Sequence, residues 1–403
     1  MDEFIKKYGK ASLLQKNGLF EKSKDMFSEL LKKSDNKIIS SNIYYHLAQM
    51  EPDSDVKKDM LRMSIELNPE QRMANNLLSL LTENNINRLR KDKTGVIRQF
   101  FERFPLNIQI QTVSTCNAKC KMCPYHGSWQ KHHPGTMDSK TFLHIVNLLE
   151  NIPLGKLCLY LENEPFLDKD LFEKIKIVKN RLKYKFIELS TNLSMLNEEK
   201  IQNLFELMKN TPHEIWISWH GIDEKSYKEI MGFDFYKNRE NLINYFKITK
   251  GELKTSINTI VGSKLNDKRI TAEKRAKDFF YNIIRESAVD ININNINIKT
   301  FYYHDRAGNI EEKITNDKAL KMIGKLKPTC PRIKEWLHFV YDGDIILCCM
   351  DYQKETVMGN VNDFGSLEEL LNSERFTKYQ KMALGSIDSP DDFICKRCTS
   401  PGG

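Results

Sequence analysis

Cys116, Cys120 and Cys123 fall within eight residues, as Cys116-Asn-Ala-Lys-Cys-Lys-Met-Cys123. Iron–sulfur clusters ordinarily take four cysteines. Three thiolates at this spacing can therefore hold three irons of a [4Fe–4S] cluster and leave the fourth open to an exogenous ligand. A second group follows late in the chain: Cys330, Cys348, Cys349, Cys395 and Cys398. Grouped cysteines in a cytosolic chain point to metal or redox chemistry before disulfides. Zinc is the competing reading of both groups. His126, His132 and His133 follow the triplet, and four late thiolates suit either metal. His132 and His133 read as surface residues, and Cys158, alone and mid-strand, as a core residue behaving like a small hydrophobe.

The triplet follows a strand-like run, 107–113, the first of a series. Strands are expected at 107–113, 156–161, 186–190, 214–218, 256–261 and 291–298, with amphipathic helices at 139–150, 169–181, 198–209 and 240–248. Alternation of this kind predicts an α/β fold around a parallel sheet, open or closed into a partial barrel. Ligands of such sheets bind at the carboxyl ends of the strands, which is where the triplet belongs.

Before this series, residues 1–95 read as helix after helix. Residues 18–31 and 60–69 both resemble the second half of a tetratricopeptide repeat, and aligning Leu30 with Ser64 gives that repeat's period of 34 residues. A plain helical bundle is the alternative, and either form suits binding a partner or propping the catalytic domain. Residues 301–403 form a small cysteine-rich region with a hairpin signal at Tyr341-Asp-Gly-Asp-Ile345 and a helix at 366–372. Three domains are thus expected, 1–95, 96–300 and 301–403. A net charge of +8 without any basic block argues against nucleic-acid binding. A charged start and the lack of a long apolar run argue against secretion and membrane insertion, and the expected location is cytoplasmic.

With strand, triplet and alternation together, residues 105–300 resemble the radical S-adenosylmethionine (radical SAM) superfamily, whose signature is CxxxCxΦC with Φ usually aromatic. Here Φ is Met122, and Tyr125 just beyond is the alternative packing partner for adenine. Glu162-Asn-Glu164-Pro165 stands in the place of the family's GGEP. Both glycines are replaced, and Glu164 matches the glutamate that holds the SAM amino group. Ser190-Thr-Asn192 and Ser218-Trp-His-Gly221 match the strand ends that meet the SAM ribose and methionine. The C-terminal region resembles the SPASM and shorter "twitch" extensions, which carry auxiliary [4Fe–4S] clusters. The resemblance implies one closed auxiliary cluster on Cys330, Cys348, Cys395 and Cys398, an arrangement similar to that of a radical SAM alcohol oxidase.

The resemblance implies a partial (β/α)6 radical SAM barrel between a tetratricopeptide-like domain and a SPASM/twitch-like domain. It implies SAM as cofactor, a 5′-deoxyadenosyl radical, and an oxidoreductase acting on a polar substrate such as a sugar, cyclitol or peptide side chain. A flavodoxin or ferredoxin is the expected electron donor. Arg306 is a candidate contact for substrate or the SAM carboxylate, with Tyr302, Tyr303 and His304 beside it as weaker candidates. Cys349 is left over, to pack, to sit in the substrate pocket, or to serve as a hydrogen donor or ligand. His220 either faces the pocket or is a hydrogen-bonded core histidine. The alternatives are a peptide maturase that crosslinks or epimerises residues, and a zinc-bearing helical-repeat scaffold without activity.

Overall fold

The computed structural model describes residues 2–17, 19–69, 71, 74, 78, 106–150, 152–260, 269–287, 290–301, 306, 307, 309, 310, 323–326, 328 and 330–399. It divides into two compact units, Met1–Leu106 and Asn107–Gly403. Tyr302, Tyr303 and His304 lie outside the described residues.

The first unit has four helices: α1 (Asp2–Lys16), α2 (Phe20–Lys32), α3 (Lys37–Met50) and α4 (Ser54–Leu67). Each packs against the next. Phe27, Leu30, Ile43 and Leu47 fill the core with Ala11, as the three- and four-residue spacing of their apolar positions requires. Asn36 caps α3, its side chain accepting from the N–H groups of Ile38 and Ile39 at 3.0 and 3.1 Å. Ser41 and Ser64 each donate to the other's backbone carbonyl at 2.8 Å, tying α3 to α4.

The second unit is built on β1 (Leu106–Ile110), β2 (Pro153–Cys158), β3 (Lys183–Thr191), β4 (His213–Ser218), β5 (Thr255–Ile260) and β6 (Ile296–Phe301). Helices follow them in turn: α5 (Trp129–His132), α6 (Ser139–Leu149), α7 (Leu171–Arg181), α8 (Glu198–Met208), α9 (Glu224–Met231), α10 (Phe235–Thr249) and α11 (Arg269–Ser287). The helix starts are chemically marked. Asp138, Asn197, Asp223 and Asp234 each accept a backbone N–H three residues on, at about 2.9 Å, the usual N-cap arrangement. Their apolar stripes, such as Phe142, Ile145, Val146 and Leu149 on α6, are buried.

The sheet does not stop at six strands. Its order is β6-β5-β4-β3-β2-β1-β7-β8-β9. Here β7 (Trp336–Phe339), β8 (Asp344–Ile346) and β9 (Val357–Asn360) come from the C-terminal region. Strand β7 runs parallel to β1, with Asn107 opposite Trp336 and Gln109 opposite His338, whereas β8 and β9 are antiparallel additions. The cysteine-rich region therefore continues the barrel sheet. Short helices α12 (Pro331–Glu335), α13 (Leu367–Asn372), α14 (Glu374–Leu384) and α15 (Ile394–Arg397) complete it.

Strand positions differ from expectation by three or more residues in four places: the first strand ends at Ile110, the third starts at Lys183, and the second and sixth are shifted. The sixth strand starts at Ile296, five residues late, because the Asn292 side chain accepts the Asn294 N–H and turns 293–295 into a 3-10 segment. Such local side-chain bonds compete with sheet ladders. The second runs from Pro153 to Cys158, after which the chain bends towards Glu164.

The inner face is unusually polar for a parallel sheet, whose strands ordinarily read as apolar runs. Lys156 bonds Glu188 at 2.6 Å, and Glu188 also accepts from the Tyr160 hydroxyl. Lys299 bonds Glu214 at 2.8 Å, and Ser256 donates to the same carboxylate at 2.6 Å. The Trp216 ring lies between the two ammonium groups, 5.3 Å from Lys156 and 4.5 Å from Lys299. Cys158 belongs to this layer. It is fully buried, as expected, but its thiol faces the Glu188 carboxylate at 3.7 Å instead of an apolar core.

Candidate active site

The loop carrying Cys116, Cys120 and Cys123 leaves the carboxyl end of β1 and is fastened on three sides. Backbone N–H groups of Lys119 and Lys121 donate to Met231 and Ile230 carbonyls at the end of α9, at 3.0 and 2.9 Å. The Glu164 N–H donates to the Thr115 carbonyl at 3.0 Å. At the end of β3, the Asn192 amide donates to Asn117 Oδ1 at 3.0 Å, while the Asn117 amide donates to Ser194 Oγ at 2.8 Å. The loop is thus a set conformation joined to the exits of β2, β3 and β4.

Burial pushes the Cys116 thiol up to about 12, and neighbouring Glu164 and Cys123 add to the rise. Cys120 and Cys123 are raised by burial as well, with the Arg306 guanidinium pulling the other way. Thiols in this setting become thiolates only when a cation takes the proton's place. Among the described residues, no three His, Cys, Asp or Glu side chains are placed to hold a single metal ion. Exposed His132 and His133 take no part; His133 stacks on Trp129 with ring centres 4.2 Å apart. Met122 and Tyr125 are both buried beside the loop.

Glu164 caps a short 3-10 turn, 165–167, and is 2% exposed. One carboxylate oxygen accepts from Thr191 Oγ1 at 2.8 Å and the Phe166 N–H at 3.2 Å; the other accepts from the Asn192 N–H at 2.8 Å. A carboxylate has about four acceptor positions, so the second oxygen keeps room for one further donor. Burial raises this acid to about 7 against the pull of those hydrogen bonds, and a cationic donor at the remaining position would favour its charged form. Thr191 is the partner that sequence patterns missed; only its register on β3 reveals it.

Ser190 and Ser218 close β3 and β4, both half-buried. The Asn192 amide donates to Asn117 and accepts from Ser194 N and Oγ at 3.0 and 2.6 Å. It acts as a brace on the cysteine loop.

Cys330, Cys348, Cys395 and Cys398 line a single pocket with Arg332, Ala307, Ile333, Met350 and Ile394. Four thiols around one space suit a closed cluster with no open iron. Cys349 is not on that wall. Ala307, which does line it, and Arg306 before it have φ of +58 and +50, marking a sharp turn. His220 is 7% exposed, edge-on to Phe301 at 5.6 Å, and its Nδ1 has no partner, so it is not a hydrogen-bonded core histidine at that nitrogen. No helix among the described residues is long and apolar enough to cross a membrane.

Residues 110–274 match the family model of the Radical SAM superfamily, and residues 330–399 match SPASM, an iron–sulfur cluster-binding domain. No curated protein matches the sequence. Among solved structures, Streptococcus suis SuiB bound to precursor peptide SuiA is similar at 13% identity and a TM-score of 0.52, covering 84% of this chain and 83% of its own. BtrN in complex with AdoMet and 2-DOIA is similar at 16% identity and a TM-score of 0.47, covering 74% and 94%. Native anSMEcpe with bound AdoMet gives 17% identity and a TM-score of 0.46, covering 73% and 90%.

Proposed function

The chain belongs to the radical SAM superfamily and carries a SPASM domain, and from that premise we propose that it oxidises a polar substrate, of the sugar or cyclitol kind, with the help of an auxiliary cluster. Cys116, Cys120 and Cys123 would hold the first cluster, which would supply the site that binds and reduces SAM. Glu164 receives the SAM ammonium at its remaining acceptor position, a charge-assisted bond. Ser190 and Ser218 offer hydroxyls to ribose and carboxylate, and Met122 and Tyr125 are the candidates to pack against adenine. The loaded site supplies a 5′-deoxyadenosyl radical, able to take hydrogen from an unactivated carbon. The protein positions substrate and excludes water.

The observation that carries the oxidative reading is the four-cysteine pocket. Cys330, Cys348, Cys395 and Cys398 would hold a second cluster, which would supply a redox group able to take up an electron released on substrate oxidation. A flavodoxin or ferredoxin is the proposed reductant of the first cluster, and the N-terminal helices are proposed to hold a protein partner. Anaerobic reconstitution is the test. About eight irons and eight sulfides per chain, with 5′-deoxyadenosine formed on reduction, are the expected result for two four-iron clusters. Converting Cys116, Cys120 and Cys123 together to Ala should leave about four irons and end SAM cleavage. Stoichiometric zinc with no cleavage would sink the reading.

A further inference from the structure

Cys330, Cys348, Cys395 and Cys398 share their pocket wall with one basic side chain, Arg332. The rest of the described lining, Ala307, Ile333, Met350 and Ile394, is apolar. Arg332 is brought there by a fixed turn. It follows Cys330 and Pro331 at the start of α12, where the Ile333 N–H donates to the Cys330 carbonyl at 3.2 Å.

What sets Arg332 apart is the lack of an anion. Half-buried Arg181, Arg239 and Arg397 meet Glu150, Glu286 and Glu355 respectively. Arg285 and Arg375 are exposed, and water serves them. Arg332 is half-buried, yet among the described residues it has no carboxylate within ion-pair distance and no hydrogen-bond acceptor, not even Glu335 in its own helix. A guanidinium stays charged at any ordinary pH, and a cation turned from water is costly unless an anion meets it. The side chain lines the pocket, so the pocket must supply that anion. Four thiolates with the cluster they would hold are such an anion.

The charge then bears on redox behaviour. Reduction adds an electron to a group that is already anionic on four thiolates, and an apolar wall screens the added charge poorly. A fixed cation on the same wall stabilises the reduced form more than the oxidised one. Net charge and hydrogen bonds to sulfur are among the terms that set such potentials. The Met350 N–H, which donates to Cys348 Sγ at 3.5 Å, works in the same direction. That donor is backbone and survives substitution, whereas the guanidinium can be removed.

We propose that Arg332 is the counter-charge of the auxiliary cluster and raises its reduction potential, which suits a cluster that accepts an electron. This rests on the reading that the four cysteines hold a cluster, and it assigns the positioning residue that tunes it.

The test uses the full chain with Cys116, Cys120 and Cys123 converted to Ala, reconstituted anaerobically so that only the auxiliary cluster reports. Redox titration followed by electron paramagnetic resonance gives its midpoint potential. In Arg332→Gln the ratio of reduced to oxidised cluster at a fixed applied potential should fall by about tenfold, a drop of about 59 mV for one electron. Arg332→Lys keeps the charge and should stay near the unsubstituted value. Loss of iron from Arg332→Gln alone, with Arg332→Lys retaining about four irons, would also support the counter-charge. Equal midpoints with and without Arg332→Gln would overturn the proposal. So would equal falls in the two variants, or loss of iron from both, since neither depends on charge. A chain that takes up zinc or no iron before Arg332 is touched would instead defeat the cluster reading beneath it.

Discussion

Asn192, at the end of β3, donates its amide to Asn117 inside the cysteine triplet at 3.0 Å across 75 residues of sequence. Asn117 in turn reaches Ser194, and Ser194 returns to Asn192, so three side chains close a triangle that holds the loop against the sheet. Asn192→Ala removes two of its three edges. With about 1 kcal/mol per partly buried hydrogen bond, the loop loses about 2 kcal/mol of restraint. The expected outcome is a first cluster that reconstitutes slowly and is lost within hours of dilution, with the auxiliary cluster intact. Iron content before and after gel filtration checks it; full retention of both clusters would contradict the bracing role.

Gly221 sits at φ +103, and a Cβ there would lie 2.5 Å from the Tyr227 nitrogen and 2.7 Å from its Cα. Both obstacles are backbone of α9, which cannot swing aside as a side chain tip can. The Gly221 carbonyl also accepts from Trp219 Nε1 at 2.8 Å, and Trp219 is fully buried against Tyr227. Gly221→Ala combines a left-handed conformation with a clash, about 3 kcal/mol together. A lower melting temperature and weaker SAM binding are expected, since Ser218 and His220 lead into this turn. Calorimetry with and without SAM measures both.

His338 is fully buried, its two ring nitrogens lack partners, and it stacks on Trp336 with ring centres 5.8 Å apart. Burial, helped by the Arg332 charge, lowers its pKa to about 3. The unfolded chain binds a proton near 6.5 while the folded one does not, so stability is lost as pH falls from 6.5 towards 3. The slope approaches about 1.4 kcal/mol per pH unit. His338→Phe keeps the stacking and removes the titration. Urea midpoints at pH 7 and pH 5.5 should drop less in the variant than in the wild type, by the equivalent of about 1 kcal/mol. Equal drops would show that the imidazole is not held neutral.

Much of the frame was legible from local rules. Strand-like runs located the six strands to within a few residues, and amphipathic stretches located α6, α7 and α8, whereas α9, α11 and the first turn of α10 were not read. The triplet and Glu164 were legible because each directly follows a strand. What escaped was long-range. Nothing around Trp336 says that it will lie parallel to Asn107, since a four-residue strand has no signal of its partner. That Asn192 also meets Asn117 is visible only in the fold, because 75 residues separate them.

The parallel pairing of β7 with β1 also has a consequence for synthesis. Six strands are available once Phe301 has left the ribosome, yet the far edge of β1 has no strand beside it until Trp336–Phe339 follow. Throughout that interval the nascent barrel presents an open edge directly under its cysteine loop, a template for wrong pairing. The edge of β1 beneath Cys116, Cys120 and Cys123 is therefore completed only after the last quarter of the chain has begun to emerge, so the auxiliary region finishes the sheet that carries the first cysteine loop.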